Sequence, residues 1–167
     1  PRLASTLCAA FGIYQGTGRI VVGRDTRPSG VMLADAAIAG LLSVGCQVID
    51  LGIVPTPTVQ LMVRELGASG GIAVTASHNP AEWNALKFIG GAGTFLDQAE
   101  AGELFNVFSQ GNFEYAPESE LREAEFCSDA FARHSAKIFQ SVDAGAIARR
   151  KLRVAVDCCN GVGAVWS

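Results

Sequence analysis

Gly71-Ile72-Ala73-Val74-Thr75-Ala76-Ser77-His78-Asn79-Pro80 is the stretch on which the reading of this chain turns. Residues 71–75 are a short apolar run with β-branched members, the pattern of a strand. Asn79-Pro80 forces a turn soon after it, so Ser77 is held outward on a loop just past the strand's carboxyl end. Open α/β sheets bind their ligands at that end. His78 and, further on, Lys87 are the nearby groups able to move a proton or neutralise phosphate charge. On local pattern alone, a serine ahead of Asn-Pro is an ordinary turn residue, so its meaning depends on what surrounds it.

Upstream, Leu3, Leu7, Cys8, Phe11 and Tyr14 recur at helical spacing until Gly16-Thr17-Gly18. Residues 19–23 read as a strand. Ser29-Gly30 starts a helix over 31–44, with Gly45 suited to its C-terminal cap. Residues 47–51 form a second strand. Thr56-Pro57 then reads as a capping hydroxyl followed by proline at the first helical position, opening a helix that stops at Gly67. Downstream of the serine, residues 85–89 predict a fourth strand, Gly90-Gly91-Ala92-Gly93 a turn, and residues 97–110 a helix. Strands alternating with helices predict an α/β fold: a three-layer α/β/α domain with a mixed, mostly parallel sheet.

Residues 112–123 are polar, with Pro117 and four Glu, and read as a connection. Helical pattern returns over 128–141 and 143–150. Residues 152–157 (LRVAVD) predict a new strand, and Asn160-Gly161-Val162-Gly163 a tight turn into another helix. The expected organisation is therefore a first domain over 1–123, a helical connection over 124–150, and at 151–167 the start of a second, similar domain that the C-terminus cuts through.

Composition excludes several functions. The 167 residues are 49% hydrophobic and 17% charged, with net charge −3 and no dense Lys or Arg run. That argues against nucleic acid, which calls for a clustered basic face, though a few Arg or Lys converging on one pocket still suit an anionic small molecule. Apolar runs are too short and interrupted to span a bilayer. Five cysteines without CxxC spacing fit neither a disulfide framework nor a zinc site, so a reducing cytoplasm is expected. Adjacent Cys158 and Cys159 read as small buried hydrophobes.

The TASHNP loop, followed by Asn84-Ala85-Leu86-Lys87, closely resembles the phosphoserine loop of the α-D-phosphohexomutases. Gly23-Arg24-Asp25-Thr26-Arg27-Pro28-Ser29-Gly30, Val54-Pro55-Thr56-Pro57 and Val156-Asp157-Cys158-Cys159-Asn160-Gly161-Val162-Gly163 match the same family in order, over nearly the whole chain. The resemblance implies a phosphotransferase that interconverts hexose 6-phosphate and hexose 1-phosphate through a phosphoserine and a hexose 1,6-bisphosphate. It makes Ser77 the phosphoryl carrier, with one phosphate oxygen on Mg²⁺. Lys87 becomes an electrostatic or acid–base partner, and His78 occupies the loop position beside the nucleophile. The family pattern usually has Gly where Ala85 stands, which bears on backbone geometry if that position needs a positive φ.

By the same resemblance, the D-x-D-x-D metal loop, the sugar- and phosphate-recognition loops and an N-terminal strand bearing an Arg are missing. The implied partners are a phosphosugar and the missing C-terminal domains of the same enzyme. A non-catalytic α/β module for ligand binding or assembly is the competing reading. Arg24, Asp25 and Arg27 read as an ion-paired set supporting the serine loop ahead of substrate ligands, with Asn79 part of that loop. Gly16-Thr17-Gly18 lacks the last glycine of a dinucleotide fingerprint. His134 is expected to be solvated, and Trp83 to pack.

Overall fold

The computed structural model describes residues 1–166. The elements run α1 (Arg2–Tyr14), β1 (Arg19–Arg24), α2 (Ser29–Ser43), β2 (Gln47–Ile53), α3 (Thr56–Glu65), β3 (Gly70–Val74), β4 (Leu86–Gly90) and α4 (Gln98–Gln110). After a 3-10 turn at Glu118–Glu120 come β5 (Glu125–Phe126), α5 (Ala130–Phe139), α6 (Ala144–Arg149) and α7 (Gly163–Trp166).

One sheet has the order β4-β3-β1-β2-β5. β1 pairs in parallel with β2 and β3, and β5 joins β2 in parallel, while β4 runs antiparallel to β3. Side chains alternate between the faces with period two. Ile20, Val22, Ile72 and Val74 face a layer built with α1, α2 and Leu104 of α4. Val21, Ala73 and Ile89 face Val59, Met62 and Val63 of α3, with Ala130 of α5 beside them. Both faces are covered, which is why the central strands are apolar throughout; all five residues of β3 are buried. Each fully buried large apolar side chain contributes about 1.5–3 kcal/mol relative to exposure, and the strands share that burial with Phe11, Leu41, Met62 and Leu104 of the helices.

Helix ends follow local chemistry. Gly45, at φ +87°, closes α2 with bonds from its own N–H to Leu42 and from the Cys46 N–H to Leu41. Asp97 and Glu100 form a reciprocal capping box on α4. At Gly40 a Cβ would collide with the Ser5 carbonyl, so glycine lets α1 and α2 approach closely.

Several expectations need correction. Residues 152–157 form no strand, and Leu152, Val154 and Val156 are all exposed; β-propensity does not make a strand without a neighbour to supply the ladder. Glu125–Phe126, read as connection, instead adds a strand to β2, and α5 then docks on α3. Thr56 and Ser29 do not cap: Pro55 and Pro28 hold those positions without a side-chain bond. Cys158 is half-buried and Cys159 exposed, unlike the truly buried Cys8 and Cys46. His134 is not simply solvated; its Nδ1 lies 2.7 Å from the hydroxyl of buried Thr58. Trp83 does not pack and is 62% exposed.

Candidate active site

The chain leaves β1 for one side of the sheet and returns to pair β3 on the other. The order reverses between β1 and β3, the place where such sheets bind ligands. Asp25 and Arg27 follow β1, and Ser77 follows β3, so both loops meet at that crevice.

The loop is built outward from the sheet. The Asp25 N–H donates to Val74 O (3.1 Å), and the Thr75 N–H to Ala85 O (3.0 Å), closing the loop at its base. The Thr75 hydroxyl donates to Asp25 Oδ2 (2.7 Å) and accepts from the Ser77 N–H (3.2 Å). Ser77 itself has φ +57°, a left-handed conformation that costs a non-glycine residue about 1–2 kcal/mol. Such strain persists only where the surroundings over-determine it. Ser77 is exposed, and its Oγ lies 3.1 Å from His78 Nδ1.

Arg27 supplies the over-determination. Its Nε donates to Asp25 Oδ2 (3.0 Å). Nη1 donates to the carbonyls of Pro80 (2.8 Å) and Trp83 (3.1 Å), and Nη2 to those of Ser77 (2.8 Å) and Asn79 (2.7 Å). A guanidinium has five N–H donors, and here each has its own acceptor. Asp25 is equally committed, with Oδ1 taking the Arg27 backbone N–H (3.0 Å). Both side chains are largely shielded, at 12% and 18% exposure. Asn84 ties the descending limb to α2 by donating to Ser29 Oγ (3.0 Å).

Among the expected residues, Ser77, His78, Asn79, Asp25 and Arg27 are thus brought together. Arg24 lies beside them, its guanidinium donating to Asp25 O (3.3 Å). Lys87 stands on β4, opposite Ala73 of β3, with its ammonium 5.8 Å from the centre of the Phe95 ring and without a hydrogen bond to the serine loop. Ala85 does not have a positive φ, so glycine is not required there. Thr75 and Thr26 are further residues of the site that the sequence pattern does not single out. A hydroxyl two residues before the serine was the available signal for Thr75, since Thr bonds backbone N–H groups at that spacing. Thr26 donates to Asn160 O (2.8 Å), setting the turn at residues 158–162 across the crevice. Between that turn and the serine loop lies a cavity of about 530 Å³ lined by Asp25, Arg27, Thr75, Ser77, Asn79 and Asn160.

The arrangement presents a strained, exposed hydroxyl with an imidazole beside it, on a loop whose carbonyls are tied down from behind. Such a site can carry an acyl or phosphoryl group in a shape-defined cleft. It does not form a metal site by itself: among the described residues no three His, Cys, Asp or Glu side chains cluster, and Asp25 has no oxygen free of a bond.

Residues 1–114 match the family described as phosphoglucomutase/phosphomannomutase, alpha/beta/alpha domain I. A phosphoglucomutase/phosphomannomutase of Thermococcus kodakarensis is 40% identical over 99% of this chain. A phosphoglucosamine/phosphogalactosamine mutase of Sulfurisphaera tokodaii is 35% identical, also over 99%. The chain spans only 37% of the length of each. The crystal structure of a phosphoglucomutase/phosphomannomutase family protein from Burkholderia thailandensis superposes with a TM-score of 0.67 at 26% identity, over 84% of this chain and 32% of that one. The chain therefore belongs to the phosphoglucomutase/phosphomannomutase family, and residues 1–114 are its α/β/α domain I.

Proposed function

We propose that this chain supplies the phosphoryl-carrying serine of a mutase that interconverts hexose 6-phosphate and hexose 1-phosphate. The observation that carries the reading is Ser77, exposed and left-handed at the switch point of the sheet, with its Oγ 3.1 Å from His78 Nδ1. The resting form carries phosphate on Ser77 Oγ. A hexose hydroxyl attacks the phosphorus, the bond from phosphorus to Ser77 Oγ breaks, and the hydroxyl proton passes to Oγ. The resulting hexose 1,6-bisphosphate then returns its other phosphoryl group to the serine, leaving the isomeric monophosphate. His78 is placed to relay that proton. Serine suits the task because its phosphate ester is kinetically stable, and transfer then depends on positioning and charge stabilisation.

In this reading the serine domain comprises residues 1–123 together with the edge strand β5 and helix α5 that pack on it, and residues 151–167 lead into a second domain. On the same reading Lys87, whose ammonium stands over Phe95, supplies charge stabilisation to the phosphoryl group. Mg²⁺ would neutralise the phosphoryl oxygens, but no cluster of carboxylate, His or Cys ligands able to hold it occurs among the described residues of this chain. The five free cysteines support a reducing compartment, the cytoplasm.

The test is to purify the intact gene product from cells and map phosphate by peptide mass spectrometry, with hexose 1-phosphate conversion measured in parallel. Phosphate on Ser77 with turnover of a glucose, mannose or glucosamine phosphate is expected. Phosphate consistently on another residue, or binding of a phosphosugar without turnover, would overturn the proposal, the second result in favour of a non-catalytic module.

A further inference from the structure

We infer that Arg27 is the positioning residue of the phosphoryl-transfer step, and that it works by turning the loop's carbonyls away from the incoming phosphate. This rests on the mutase reading of Ser77. Four carbonyl oxygens, those of Ser77, Asn79, Pro80 and Trp83, converge on one guanidinium at 2.7–3.1 Å. Carbonyl oxygens are the negative ends of peptide dipoles, and any of them facing the crevice would repel a phosphoryl group. In a trans peptide the N–H points opposite to the C=O, and no peptide here is cis. Fixing Ser77 O on Arg27 therefore aims the His78 N–H away from the guanidinium, and an N–H so directed is a donor for an anion.

The same bonds hold Ser77 at φ +57°. Without them the residue relaxes toward ordinary backbone, and Oγ swings out of line. Arg27 touches no phosphate oxygen itself, because all five of its donors are committed. Lysine cannot replace it: a point ammonium with three donors cannot hold a carboxylate and four carbonyls spread around a plane. The Asp25–Arg27 pair sets the height of the guanidinium, and Thr75 links that carboxylate to the Ser77 N–H. Both backbone ends of the nucleophile are thus fixed by one network.

The experiment follows transfer of a phosphoryl group from glucose 1,6-bisphosphate to dephosphorylated Ser77 in the intact gene product. Parent, Arg27→Lys and Asp25→Asn proteins are compared by rate and by half-saturating bisphosphate concentration. A nucleophile misplaced by an ångström costs on the order of 10²-fold, so Arg27→Lys is expected to slow transfer by about that factor. The half-saturating concentration should change by less than about twofold, since no ligand contact is lost. Asp25→Asn should slow transfer by about 10-fold through a displaced guanidinium, and carries the test should Arg27→Lys fail to fold. A transfer rate within twofold of the parent in the folded variant, or a loss expressed wholly in half-saturation, overturns the inference. A parent that never takes phosphate on Ser77 instead overturns the mutase reading beneath it.

Discussion

Residues 71–77 and residues 152–160 carry the same local pattern: a β-branched apolar run, then a polar turn with a left-handed non-glycine residue, Ser77 in one and Cys159 and Asn160 in the other. Their fates differ completely. The first is a strand buried at every position between β1 and β4, and its turn is tied by eight hydrogen bonds made by the side chains of Arg27, Asp25 and Thr75. In the second, residues 152–157 join no strand among the described residues, their apolar side chains face outward, and the turn is tied across the crevice by the Thr26 hydroxyl on Asn160 O. A strand is made by neighbours that complete its ladder, and a functional turn by partners distant in sequence.

The contrast breaks most severely at the nucleophile. If the proposed mutase function holds, Ser77→Ala in the intact gene product is expected to reduce hexose-phosphate interconversion by at least about 10³-fold with the fold intact, measured by steady-state turnover and circular dichroism. Residual activity near the parent level would mean that the anchored turn is not the reactive one.

A buried charge sharpens the comparison of the two strands. Ile72→Asp places an unpaired carboxylate between helices and should cost about 4 kcal/mol or more. Val154→Asp, at a position 75% exposed, should fall within about 0.5 kcal/mol of the parent. Chemical denaturation of both variants checks this, and comparable losses would show that residues 152–157 are buried in solution.

The cysteines divide the same way. Burial alone pushes the Cys8 thiol up to about 12 and Cys46 to about 11, against an ordinary value of 9.0 in the unfolded chain. Between those values the unfolded state loses a proton that the folded state keeps. Stability is therefore full below pH 9 and falls as pH rises from about 9 towards 11–12. Denaturation midpoints across that window should drop, and less so in Cys8→Ala after correction for its cavity. Exposed Cys159 should react with a thiol reagent in the native state, whereas Cys8 and Cys46 wait for unfolding.

The smallest effect isolates backbone strain. Ser77→Gly and Ser77→Ala both lack the hydroxyl, but only glycine is at ease at φ +57°. The glycine variant should be the more stable by about 1 kcal/mol, from paired melting curves. Equal stability would mean that the left-handed turn relaxes freely and is not held.

The legible parts of the sequence were those where one physical rule acts locally. Continuous apolar runs marked β1 and β3 because parallel strands here are covered on both faces, and Gly45 and Gly67 ended helices because both need positive φ. β5 was not legible: two exposed residues, Glu125 and Phe126, carry no periodicity. The span 152–157 was over-read because propensity was taken for pairing. At the site, the serine and its neighbours were visible through the loop motif, but the manner in which Arg27 works was not. Four of its five acceptors are main-chain oxygens, which every residue possesses, and they lie 50–56 positions away.

The chain's two tryptophans each follow one of the contrasted regions, Trp83 after the first and Trp166 after the second. Trp83 stands open to solvent while its own carbonyl is held by Arg27. Trp166 is stacked on Phe131 at 4.5 Å, with its indole N–H bonded to Ile53 O at 2.8 Å. Their fluorescence should therefore separate by colour and by quencher access, red and easily quenched for Trp83, bluer and protected for Trp166. A single-tryptophan variant of either kind turns the molecule into its own optical gauge. One reports whether the serine loop moves when phosphate arrives, and the other whether the C-terminal turn stays docked while it does.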